Sequence, residues 1–126
     1  SMEDEWWKWK SLADIAIAQD QNGDKTAAQN TLNLIIQSTQ PIDDKCTWIV
    51  IINAKTGNFD VALETAWKIE NKQKQASALG EIASVQAQVG QREAARANLA
   101  AALDIARQIE IIAESNFQRA YALQDV

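Results

Sequence analysis

Leu12-Ala13-Asp14-Ile15-Ala16 and Leu79-Gly80-Glu81-Ile82-Ala83 are two versions of one pattern, and each begins eleven residues before a glycine, Gly23 or Gly90. A third version, Cys46-Thr47-Trp48-Ile49-Val50, begins eleven residues before Gly57. The three glycines are 34 and 33 residues apart, and a period of that size is the signature of an array of helical or propeller units. Around them the agreement continues. Ile15, Ile49 and Ile82 stand eight residues before, and Ala16, Val50 and Ala83 seven before. An amide, Gln19, Asn53 or Gln86, stands four before, and Ala28, Ala62 and Ala95 stand five after. Nine after come Leu32, Ala66 and Leu99; twelve after come Ile35, Ile69 and Ala102.

Apolar residues at three- and four-residue steps form one face of a helix. The positions before each glycine therefore read as one helix and those after it as a second. Glycine at the junction ends the first helix, because it alone enters the left-handed region without steric penalty. Asp24, and Asn58 or Asp60, then supply caps for the second. The alanine five residues on lets two antiparallel helices approach closely. Such a hairpin cannot bury its apolar face alone and needs neighbours stacked on it. With one proline, Pro41, and four glycines in 126 residues, helix is expected throughout, an all-α chain. Trp48-Ile49-Val50-Ile51-Ile52 has the composition of a strand, but the period places it inside a first helix.

These features resemble a divergent bacterial-type member of the tetratricopeptide repeat family, whose units are helix pairs of about 34 residues. The resemblance covers residues 9–109 in units 9–42, 43–75 and 76–109. It departs from the family pattern where a large aromatic is usual and this chain has Gln19, Asn53 and Gln86, and where tryptophan is usual and it has Leu12, Cys46 and Leu79. It implies a right-handed α–α superhelix of about three helix-turn-helix units plus a C-terminal helix. It further implies a concave face lined by the first helices. On this chain those positions are Ala13, Ile17, Asp20 and Gln21; Thr47, Ile51, Ala54 and Lys55; and Gly80, Ser84, Ala87 and Gln88. They lack the basic ladder that relatives use on a terminal carboxylate, so an apolar peptide fits better, by groove recognition. Alternatively, Ile17 and Ile51 pack on neighbouring helices.

The end of the chain reads as part of a fourth unit. Ala120-Tyr121-Ala122-Leu123-Gln124-Asp125-Val126 parallels Ala76-Ser77-Ala78-Leu79-Gly80-Glu81-Ile82, ten residues later than the period requires. The second helix of unit three is therefore expected to run long, from near Gln91 to about Glu114, with Ser115 or Asn116 opening a last helix within 110–126. An apolar, uncapped last helix fits a longer array, or an end packed on another copy, since terminal units normally turn a polar face outward.

Trp6-Trp7-Lys8-Trp9 has two readings. Tryptophan is enriched at interface hot spots, so Trp6, Trp7 and Trp9, with Tyr121 at the other end, are candidate assembly contacts of a homodimer. In the second reading Trp6 and Trp9 cap the open end of the stack. Trp67 reads as core filling between units. Cys46 takes a position held by Leu elsewhere and reads as a buried, unreactive thiol.

Composition excludes more than it selects. Seventeen acidic against 12 basic residues give a net charge of -5, so the electrostatic attraction to nucleic acid is missing, and anionic membranes are disfavoured. With no His and one Cys, disulfide frameworks, Cys/His zinc sites and His-based triads are excluded within these residues. Asp43-Asp44 reads as solvated surface. Gln21-Asn22-Gly23-Asp24-Lys25 lacks the second glycine and the Ser/Thr of a phosphate loop. The acidic, polar start has no apolar segment of a signal peptide behind it, and the lone Cys suits a reducing compartment. The expectation is a cytoplasmic, non-enzymatic module with no metal or cofactor and no nucleic-acid or membrane partner. It binds a protein or peptide; the second reading is a homodimer through the Trp-rich start and the open C-terminal helix.

Overall fold

The computed structural model describes the backbone of residues 2–124 and the side chains of residues 5–119. It is all-helical among the described residues: α1 (Met2–Gln21), α2 (Lys25–Ile36), α3 (Ile42–Lys55), α4 (Phe59–Lys68), α5 (Lys72–Gln88) and α6 (Arg92–Gln124). The strand-like stretch 48–52 lies inside α3. Burial on both sides overrides its β propensity, with Trp48, Val50 and Ile52 all in the core.

Each of the three phasing glycines sits between two helices with a positive φ: 86° at Gly23, 87° at Gly57 and 88° at Gly90. The hydrogen bonds around them are the same three times over. The N–H after the glycine donates to the carbonyl of the amide residue four before it, as Asp24 to Gln19 (2.9 Å), Asn58 to Asn53 (2.8 Å) and Gln91 to Gln86 (2.8 Å). The glycine N–H donates to the carbonyl three before it, at 3.0–3.2 Å. This paired closure satisfies the last carbonyls of the first helix and turns the chain back on itself. Asp24 then caps α2, accepting from the Ala27 N–H at 3.1 Å. Asn58 holds the matching place before α4 without a side-chain cap bond.

The close approach expected at the alanines is present, with Ala28, Ala62 and Ala95 all buried. So is a polar lock the sequence did not announce. Thr31 Oγ1 donates to Gln19 Oε1 at 2.7 Å, and Asn98 Nδ2 donates to Gln86 Oε1 at 2.8 Å. Both pairs join the residue four before a glycine to the one eight after it. In the middle hairpin Asn53 is one methylene shorter, and its Nδ2 donates to its own helix at Ile49 O (2.8 Å).

Consecutive first helices lie side by side, α1 on α3 and α3 on α5, and each second helix touches the next first helix. Two apolar clusters fill the seams. Ala13, Ala16, Ile17 and Ile35 meet Trp48 and Ile52, while Cys46, Val50, Ala62 and Ile69 meet Leu79, Ile82 and Ile105. The polar seam is as specific. Asp43 in the first turn of α3 accepts the backbone N–H groups of Glu70 (3.1 Å) and Asn71 (2.9 Å), and Asp44 pairs with Lys74 at 2.7 Å. Buried Gln75 Nε2 donates to the Ala66 and Trp67 carbonyls at the end of α4. These carboxylates, expected to be merely solvated, tie the middle hairpin to the third.

Three sequence expectations are corrected. Ile15 is 47% exposed although Ile82, at the same place in the pattern, is 0% exposed; α5 packs on the first helix before it, α3, whereas among the described residues α1 packs on α2 and α3 alone. Trp67 is exposed rather than core, because buried Ala66 already takes the inward place on short α4. Finally, no break occurs at Ser115 or Asn116. Helix α6 runs 33 residues without interruption, as nothing between Arg92 and Gln124 is a glycine or proline, and an exposed Ser or Asn costs a helix interior only a few tenths of a kcal/mol.

Candidate binding groove

Trp6 and Trp9, three residues apart on α1, share one side of that helix. Trp9 is half-buried and packs on the first cluster, with Lys8 Nζ 4.9 Å from its ring centroid. Trp48 rises from α3 beneath them, buried, with its ring centroid 6.1 Å from that of Trp6 and the planes at 54°. Trp7 meets Trp6 edge-on at 4.9 Å and points outward. Three indoles from two helices thus form the floor and one wall of a cleft of about 690 Å³. Its other side is built from Gln40, Pro41, Asp44 and Thr47 before and along α3, and from Gln73, Lys74 and Ser77 on α5. The Asp44–Lys74 ion pair lies on that far side.

The cleft crosses the N-terminal ends of all three first helices. That explains which expected site residues reach it. Of Ala13, Ile17, Asp20, Gln21, Thr47, Ile51, Lys55, Ser84 and Gln88, only Thr47 is in its lining. Burial takes Ala13 and Ile17 off any free surface, and Ile51 packs half-buried on the same cluster. Asp20 holds Lys25 at 3.4 Å. Gln21, Lys55, Ser84 and Gln88 are exposed at the opposite ends of their helices. Of the candidate assembly contacts, Trp6 and Trp9 belong to the cleft, Trp7 is exposed beside it, and the side chain of Tyr121 lies outside the described residues. A periodic signal for the cleft does exist. Trp6, Gln40 and Gln73 all stand seventeen residues before a glycine, and Asp44 and Ser77 thirteen before. Trp48 gave no signal, since the equivalent places hold Asp14 and Glu81.

The two backbone N–H groups at Asn71 and Glu70 hold the Asp43 carboxyl below the ordinary aspartate value, which keeps it an anion and an acceptor. Burial pushes the Cys46 thiol up, with the Asp43 charge adding to it, away from the thiolate that reactivity needs. Among the described residues no three His, Cys, Asp or Glu side chains converge as a metal site, and no helix is long and apolar enough to cross a membrane. Comparison with family models, curated proteins and solved structures finds no match.

Proposed function

We propose that this chain is a non-enzymatic protein-interaction scaffold of the tetratricopeptide kind, a right-handed α–α superhelix whose ligand seat is the tryptophan-floored groove across α1, α3 and α5. The observation that carries the reading is that groove. It combines Trp6, Trp9 and Trp48 with Pro41, the Asp44–Lys74 pair and the amides Gln40 and Gln73. Aromatic side chains supply large contact area at low entropic cost, and recognition sites pair such surfaces with a few placed polar groups. A cleft of this length and open form suits a peptide segment of a partner protein, held by its apolar side chains on the indoles and by backbone bonds to the amides.

The superhelical reading is supported by the graded burial of equivalent positions. The residue nine after each glycine is half-buried at Leu32 and buried at Ala66, then exposed at Leu99. The residue eight before grades the opposite way, from exposed Ile15 to buried Ile82. Units stacked in one direction give that pattern, since only inner units have neighbours on both sides.

The test is selection of peptides from a displayed random library on the folded protein, followed by titration against Trp6→Ala and Lys74→Glu variants. Selected peptides should share an apolar motif, quench the intrinsic tryptophan fluorescence, and bind each variant at least about tenfold more weakly, the size of losing one interface contact worth roughly 1.4 kcal/mol. Peptides that bind wild type and both variants alike would remove the groove from the mechanism.

A further inference from the structure

One flank of α6, bordering its seam with α5, carries an ordered sequence of charge. Steps of three and four residues along one side of the helix run first through Arg92 and Arg96, then Leu99, Leu103 and Ala106, then Glu110 and Glu114, all exposed. Phe117, 71% exposed, ends the row. The row is therefore basic at one end and acidic at the other, with an apolar middle that exposed Arg107 flanks. Two basic residues in the opening turns also run against the helix dipole, which favours anions there. Beside the apolar middle lies a cleft of about 550 Å³, completed by Ala76 and Ser77 of α5 and by Ile109 of α6. In the first two hairpins the corresponding seam is covered by the next first helix, α3 or α5.

A row ordered in this way is complementary to itself only when two copies run antiparallel. Laid parallel, Arg would face Arg and Glu would face Glu. Laid antiparallel with Leu103 facing the partner's Leu103, the residue seven before it (Arg96) faces the one seven after (Glu110), and the residue eleven before (Arg92) faces the one eleven after (Glu114). Both pairings fall in one register. Each arm reaches roughly 10 to 17 Å along the helix from the centre at about 1.5 Å per residue. A two-fold axis through Leu103 makes the same patch serve both subunits, the arrangement of a closed dimer.

We infer that this chain forms a two-fold homodimer through this flank of α6, with Leu103 on the axis and Arg92 and Arg96 of each copy set against Glu114 and Glu110 of the other. The cleft beside Leu103 shares Gln73 and Ser77 with the tryptophan groove, so the dimer seam would run along one edge of that groove. This inference stands or falls apart from the peptide reading.

The experiment uses the full chain and measures mass by light scattering and sedimentation over a dilution series. Wild type should show twice the 13.9 kDa of one chain, weakening as added salt screens the pairs. Arg92→Glu with Arg96→Glu should be monomeric, as should Glu110→Arg with Glu114→Arg, both with wild-type helicity by circular dichroism. Mixing the two variants should restore the dimer as a heterodimer. This rescue separates a broken interface from a misfolded chain. A Leu103→Cys variant should cross-link to itself on oxidation, and a Glu110→Cys variant should not. Wild type monomeric at every concentration, charge variants that still dimerise, or a mixture that stays monomeric would each overturn the inference.

Discussion

The same substitution, glycine to alanine, should change stability with opposite sign at Gly57 and at Gly80. At Gly57 φ is +87°, and nothing lies within 4 Å of where a Cβ would stand. The cost is therefore purely that of holding an L-residue in the left-handed region, about 1–2 kcal/mol. Against it runs the reduced freedom of the unfolded chain, worth about 0.4–1 kcal/mol in favour of alanine. Strain wins, and the net loss is about 0.5–1.5 kcal/mol. Gly80 lies inside α5, also with open space around its missing Cβ. There alanine relieves a helix interior of its poorest residue after proline and gains about 0.5–1 kcal/mol. Gly23→Ala and Gly90→Ala should follow Gly57→Ala, because their φ values are within 2° of it. Urea unfolding followed by circular dichroism measures this directly. With a slope of about 1–3 kcal/mol per molar, Gly57→Ala should unfold earlier than wild type and Gly80→Ala later, the two differing by roughly 1 M. Gains at all four would refute the left-handed reading of the junction glycines, and losses at all four would refute the helix-interior gain at Gly80.

Two other outcomes follow from side chains already placed. Cutting Gln86→Leu or Asn98→Leu alone strands the partner amide in a part-buried site and should cost about 1–3 kcal/mol, while the double variant should recover most of that loss; additive losses in the urea cycle would show that the 2.8 Å bond contributes nothing. The lowered folded-state value of Asp43 means that its stabilising effect is full above the ordinary aspartate range and is lost as pH falls through the lowered value. The urea midpoints of wild type and Asp43→Asn should therefore differ near neutrality and converge in acid, and a difference that does not change with pH would rule out the charge-assisted contact to Glu70 and Asn71.

The all-helical character, the three turn glycines and the buried alanines were legible in one dimension, and the reason is local. A helix end, a left-handed residue and a close helix crossing each constrain residue types within a few positions of a glycine, so a period of 33 or 34 residues repeats them visibly. The groove was legible only in part. Trp6, Gln40 and Gln73 sit in register seventeen residues before the three glycines, but Trp48 forms its floor by rising between α1 and α5 from a place where the other hairpins carry carboxylates. Tertiary structure also decided the fate of identical pattern positions. Ile15 and Ile82 read alike, yet one faces solvent and the other the core, because burial depends on whether a hairpin lies against that face. For the same reason Asp43, a surface charge, is also an acceptor of two backbone N–H groups. Its partners are 27 and 28 residues away in the chain, a separation that only packing of one hairpin on the next can close.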